Sequence, residues 1–249
     1  MLLENKVSVI YGGGGAIGGA IARAFAREGA RVFLAGRTRA KLDKVVSEIR
    51  SAGGAVDAAS VDALDKRQVD AYVDTIARQA GRLDISVNVI GYGDIQKTLM
   101  DLSVEEFLQP IVNATRTQFL TTQAAARHMI ERKTGVILHF GGSGPQTPPG
   151  LGGFKVALDA VESLRRQWAV ELGPHGIRVV TLKTGGIPES IPEDLPERDQ
   201  IINSLLPATL LKRAATLADV GNVAAFVASD QARTITASEV NISCGAIID

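Results

Sequence analysis

Residues 11–18 read Tyr-Gly-Gly-Gly-Gly-Ala-Ile-Gly. They follow a short β-branched run, 7–10, and open a segment with helical apolar spacing, 17–28. Small residues at such a junction let the backbone approach a pyrophosphate. The helix start adds unpaired N–H groups and the positive end of its dipole. Gly12, Gly14, Gly15, Ala16, Ile17 and Gly18 are therefore the candidate cradle for a dinucleotide. The second strand ends in Leu34-Ala35-Gly36-Arg37-Thr38-Arg39. An acid at this place would bond a ribose 2′-hydroxyl; here the acid is missing and two arginines follow. A guanidinium matches a 2′-phosphate in charge and in its forked donors, so Arg37 points to NADP(H) rather than NAD(H).

These residues need a scaffold that brings strand ends together. Short apolar runs at 7–10, 31–35, 55–60, 85–90, 136–140, 177–182 and 239–242 alternate with helical patterns. The helical patterns cover 17–28, 39–52, 66–80, 104–131 and 154–172, the fourth expected to break near Pro110. Strands alternating with helices predict right-handed βαβ units. The fold class expected is α/β: a doubly wound, Rossmann-type parallel sheet in three αβα layers. Residues 1–249 read as one domain, with a substrate-loop insertion around 185–207. That insertion is rich in Pro, Glu and Asp and reads equally as a lid or as solvated surface. The Gly/Pro-rich stretch 141–153 must be irregular.

Composition narrows the function. The chain has 249 residues, 45% of them hydrophobic, with 27 Lys+Arg against 27 Asp+Glu. A balanced charge excludes an electrostatic nucleic-acid binder. The single cysteine, Cys244, cannot form an internal disulfide, which suits a reducing, cytoplasmic compartment. His128, His139 and His175 are scattered without metal-ligand spacing, so no metal is expected. The first ten residues lack a basic start and a long apolar run, so neither a leader nor a membrane anchor is expected.

The chain resembles the short-chain dehydrogenase/reductase family over nearly its full length. The family's T-G-x-x-x-G-x-G stands here as residues 11–18, with Tyr11 for Thr and Ala16 for the second Gly. Asp62 sits where the family's Asp touches the adenine. The N-N-A-G of strand four appears as Asn88-Val89-Ile90-Gly91, and Asn113 matches the active-site helix asparagine. Residues 169–179, Ala-Val-Glu-Leu-Gly-Pro-His-Gly-Ile-Arg-Val, match the run from helix six into strand six. The P-G that follows reads Thr184-Gly185, with Ile187 where a residue usually meets the nicotinamide amide. The resemblance implies a nicotinamide cofactor, a small-molecule substrate and a homo-oligomer, commonly a tetramer.

The family's proton chemistry uses a serine and a Y-x-x-x-K motif. Counting back from Glu171 places the tyrosine on Phe154, the lysine on Leu158 and the serine on Gly142, with Ser143 adjacent. Shifting by one turn pairs Lys155 with Leu151, which restores nothing. Phe154, Leu158, Val161, Trp168 and Leu172 form an apolar stripe at helical spacing. The candidate catalytic positions are thus Asn113, Ser143, Phe154 and Leu158. The reading favoured is an NADP(H)-dependent oxidoreductase with atypical proton delivery, acting on a small carbonyl, imine or enone. The alternative is a catalytically inactive NADP(H)-binding, regulatory or partner subunit. A third has the altered glycine motif no longer binding the dinucleotide.

Overall fold

The computed structural model describes residues 1–93, 95–141, 147, 149–193, 195 and 198–248. Seven parallel strands form one sheet in the order β3-β2-β1-β4-β5-β6-β7. They are β1 (Val7–Tyr11), β2 (Arg31–Gly36), β3 (Val56–Ser60), β4 (Ile85–Asn88), β5 (Gly135–Gly141), β6 (Ile177–Lys183) and β7 (Ser238–Asn241). The helices are α1 (Ala16–Arg27), α2 (Arg39–Ser51), α3 (Lys66–Ala80), α4 (Val104–Arg132), α5 (Gly152–Leu172), α6 (Arg198–Ala208) and α7 (Leu217–Ala228).

The strands are buried on both sides, so alternate residues feed two cores. Ile10, Leu34, Val87, Leu138 and Leu182 pack under α1, α2 and α7. Val9, Phe33, Ile137 and Val179 pack under α3, α4 and α5. The three-layer Rossmann-type architecture is therefore as the alternation implies. Strand order reverses between β1 and β4, and a crevice opens at such a switch point, outside the strands' carboxyl ends.

The structure corrects several expectations. Helix α4 runs unbroken through Pro110, whose ring packs against the start of α5. Strand β4 ends at Asn88 rather than at residue 90, because the Asn88 side chain turns back to accept from the Ile90 N–H at 3.1 Å. Helix α6 and a short 3-10 turn, Pro188–Ser190, occupy part of the insertion around 185–207, and α5 starts at Gly152, inside the stretch 141–153 read as irregular. Helix α7 carries no strong periodicity, being apolar on most faces, and the strand-helix pattern overlooks it. Gly221 lets it lie close on α1, since a Cβ there would sit 3.0 Å from the Ala20 carbonyl oxygen.

Candidate active site

The crevice holds two cavities that share Gly12, Gly15 and the β4 exit. The first, about 390 Å³, lies over the ends of β1, β2 and β4 and is bounded by α2 and Asp62. Gly12 has φ of +80°, and a Cβ there would come within 2.7 Å of the Val89 carbonyl oxygen. Gly18 packs so tightly on the Gly12 carbonyl that a side chain has no room. These two glycines bring the β1–α1 turn against the β4 exit. Gly15 caps α1 without a side-chain hydrogen bond, and the first turn carries no acid. The first N–H groups of α1 therefore keep their donor capacity at the crevice. Ala16 and Ile17 line the same crevice, on its second cavity.

Arg37 reaches the mouth of the first cavity as an exposed side chain, joined by Thr38 and Lys41. Arg39 is turned away: its Nε bonds Asp43 Oδ1 at 2.8 Å and a terminal nitrogen bonds the Ala58 carbonyl at 3.0 Å. Lys41 is a cation the sequence reading overlooked. A helix starting at residue 39 places its first-turn side chains at the same mouth, which was the available signal. Gly14 allows this proximity, with its Cβ position 3.0 Å from the Lys41 Cβ. Asp62 lines the cavity while its Oδ1 accepts from the Leu64 N–H at 3.0 Å, fixing the loop after β3.

The second cavity, about 490 Å³, continues toward α5. Phe154 and Leu158 both line it, as does Tyr92. Phe154 and Leu158, one helical turn apart on α5, thus face the crevice together. Gly152 and Gly153 set this geometry. A Cβ on Gly153 would overlap the Phe107 carbonyl, so only glycine lets α5 start against α4. Tyr92 and Phe154 have ring centroids 6.0 Å apart at an interplanar angle of 47°. The Tyr92 hydroxyl donates to the Phe140 carbonyl at 3.0 Å. Burial pushes the Tyr92 phenol up to about 12. It therefore stays protonated at neutral pH. Among the described residues lining this end, none is charged.

The other predicted residues divide. Asn113 lines the first cavity, and its Nδ2 donates to the Tyr92 carbonyl at 2.9 Å, holding the segment after β4. Gly91 lies between the two cavities and faces open space, with no atom within 4 Å of a built Cβ. Asn88 lies beneath the crevice, donating to Thr121 Oγ1 at 3.1 Å. Gly185 and Ile187 line neither cavity. Gly185 packs on Ser243 and Ala246, and Ile187 belongs to the core under α1 and α7. Ser143, with Gly142, lies outside the described residues.

Several polar groups beside the crevice have internal partners, although His139 Nδ1 and one Arg165 terminal nitrogen have none. His139 is fully buried, with Nε2 at 3.2 Å from Thr122 Oγ1. Burial, then the nearby Arg165 charge, lowers its pKa to about 3, so it is neutral. Lys183 is buried in an ion pair with Glu239, and Arg165 bonds Glu162 at 2.8 Å. Lys155 pairs with Asp159 at 2.9 Å. No group of metal-ligating side chains occurs among the described residues, and none of their helices is long and apolar enough to cross a membrane.

A family model described as enoyl-(acyl carrier protein) reductase matches residues 14–246. The chain belongs to the short-chain dehydrogenase/reductase family. It is 29% identical over 250 residues to a 3-oxoacyl-(acyl-carrier-protein) reductase of Thermotoga maritima, covering 100% of both chains. It is 30% identical over 244 residues to a cyclopentanol dehydrogenase of a Comamonas species, covering 98% of this chain and 97% of that one. The solved structure of gox2181 superposes with a TM-score of 0.91 at 28% identity, over 98% of this chain and 96% of that one. Short-chain dehydrogenase/reductase homologues use nicotinamide cofactors.

Proposed function

We propose that the protein is an NADP(H)-dependent oxidoreductase that exchanges hydride with a small carbonyl, imine or enone, taking or releasing the accompanying proton through water. One observation carries this reading. The crevice runs open from Arg37 to Phe154, and Gly91 at its centre faces empty space that a side chain would fill. Uncapped N–H groups of α1 suit a pyrophosphate there. Gly12, Gly14, Gly15, Ala16, Ile17 and Gly18 form its cradle. Arg37 and Lys41 meet a 2′-phosphate, and Asp62 meets the adenine. Asn88, Gly91 and Asn113 keep the β4 exit in place, while Gly185 and Ile187 support the segment beside the nicotinamide. Ser143, outside the described residues, is proposed on the family resemblance alone as an orienting hydroxyl.

A bound nicotinamide supplies the hydride chemistry. The chain supplies binding, orientation and an apolar wall at Phe154 and Leu158. A general acid contributes about 10²–10⁴-fold, whereas orienting two bound reactants contributes an effective molarity of about 10⁵–10⁸ M. Losing the first leaves most of the second. The test is calorimetric titration of the purified chain with NADPH and NADH, followed by a panel of carbonyls, imines and enones. Tight NADPH and weak NADH binding with turnover supports the reading. Absence of binding to either overturns it.

One observation favours a second reading. The Tyr92 hydroxyl is already bonded to Phe140, so the phenol nearest the reacting end is not presented as a proton donor. On that reading the protein is a non-catalytic NADP(H)-binding or partner subunit, which turnover by the chain alone overturns. The single domain is proposed to be cytoplasmic, as its one cysteine suits, and homo-oligomeric, a tetramer or dimer, on the strength of exposed Leu108, Val112 and Phe119 on α4 and Val156 and Val170 on α5. Light scattering of the purified chain tests it, and a monomer at micromolar concentration overturns it.

A further inference from the structure

We infer that the substrate of this site is a small organic cation, a preformed iminium ion, seated against Tyr92 and Phe154. The inference rests on the oxidoreductase reading and narrows its substrate class. Three observations converge on it.

The first is electrostatic. Among the described residues no charged side chain lines the second cavity. Leu158 stands where the family resemblance places a lysine, so an entering cation meets no ammonium there. The cations nearest in the chain are neutralised elsewhere: Lys155 pairs with Asp159, Lys183 with Glu239 and Arg165 with Glu162.

The second is the aromatic pair. Tyr92 and Phe154 line the cavity as a tilted, mutually packed pair, the Tyr92 ring buried behind and the half-buried Phe154 ring the more accessible of the two. Ring faces attract a cation within about 6 Å of the centroid, and more strongly where water is excluded. The hydrogen bond to the Phe140 carbonyl fixes the Tyr92 ring as a neutral wall.

The third is the reaction itself. Reducing a carbonyl builds an alkoxide that must be protonated; among the described residues lining the second cavity the Tyr92 and Ser190 hydroxyls already donate to the Phe140 and Ile187 carbonyls, and no acidic or cationic side chain stands there to give the proton. An iminium carbon accepts hydride from the reduced nicotinamide while the C=N π pair becomes the nitrogen lone pair. The products are a neutral amine and the oxidised, cationic nicotinamide. Charge and electrons balance, and no proton is exchanged. The absence of an acid at Phe154 is then no handicap, and the absence of a cation at Leu158 is an advantage.

The test separates binding from turnover. The NADPH-loaded protein is titrated with choline and with its neutral isostere, 3,3-dimethylbutan-1-ol. Choline is expected to bind about five-fold more tightly. The preference should shrink in Phe154→Leu and reverse in Leu158→Lys, which returns a positive charge to the wall. Equal or weaker binding of choline by the unmodified chain overturns the inference without using any variant. In turnover, N-methyl-1-pyrrolinium should oxidise NADPH at a rate flat from about pH 6 to pH 9, since no side chain transfers a proton. Cyclopentanone should give little or no oxidation. Reduction of cyclopentanone but not of the pyrrolinium overturns the inference while leaving the oxidoreductase reading standing. Failure of NADPH to bind at the loading step overturns that reading instead, and the choline titration of the unloaded chain still decides the cation site.

Discussion

The two ends of one crevice are built from different materials. At the β1–α1 end the functional groups are backbone N–H groups, presented by a helix start and by glycines that let chains approach. At the α5 end the wall is made of side chains, among them Phe154, Leu158 and Tyr92. The difference teaches where such a fold tolerates change. Tyr11 and Ala16 replace motif residues, yet the turn keeps its shape, because Gly12 and Gly18 still hold the close approach. A backbone donor survives a change of side chain beside it. An acid–base pair does not survive loss of the hydroxyl and the amine.

The sharpest way to break the contrast is to return side-chain chemistry to the second end. Phe154→Tyr combined with Leu158→Lys should raise NADPH-dependent reduction of small ketones by about 10²–10⁴-fold, the range of a positioned general acid. NADPH affinity should change little, because the first cavity is untouched. A steady-state assay beside a calorimetric titration reads both.

The next largest effect attacks the first end. Gly91→Leu puts a side chain into space that both cavities share, where a Cβ meets no atom within 4 Å and the backbone needs no positive φ. It should weaken NADPH binding by at least ~100-fold. The melting temperature should stay near that of the unmodified chain, and a fall in both would instead mark Gly91 as a folding residue.

Arg37→Ala should be milder. Removing one charge-assisted contact costs about tenfold in NADPH affinity and leaves NADH affinity unchanged. The residual preference should vanish when Lys41→Ala is added. Competition titrations with the two cofactors check this, and an unchanged NADPH/NADH ratio would locate 2′-phosphate recognition elsewhere.

The smallest effect concerns the core beside the second end. Burial lowers the His139 pKa from its ordinary 6.5 to about 3. The folded state therefore binds fewer protons than the unfolded state between these values. Stability is fully present above about pH 6.5 and falls with acid by up to about 1.4 kcal/mol per pH unit, until the folded pKa is passed. At neutral pH the effect is nil. Denaturant titrations from pH 7 to pH 4 should show this slope, and His139→Asn should reduce it.

Much of this was legible in the residues. The glycine run between a strand and a helix, the missing acid after Ala35 and the register from Glu171 back to Phe154 and Leu158 are local patterns. Local patterns survive folding because turn geometry and helical periodicity depend on near neighbours. The same locality explains the misses. Helix α7 shows little polar alternation because α1 covers it. Pro110 gave a local signal to stop, but the helix was held by the capping box of Ser103 and Glu106 and by packing on α5.

The sequence by itself determined the fold class, the glycine-rich turn between the first strand and the first helix and the absence of an ionisable pair at residues 154 and 158. Those follow from residue type and spacing. Only the tertiary structure decided which arginine faces the crevice, because Arg39 is drawn off by Asp43 and by a carbonyl of the neighbouring strand. It also decided that Tyr92, distant in sequence from Phe154, shares its wall, and that Gly185 and Ile187 lie outside both cavities. Such outcomes depend on which partners reach a group first across the fold, and partners far apart in the chain leave no mark in local spacing.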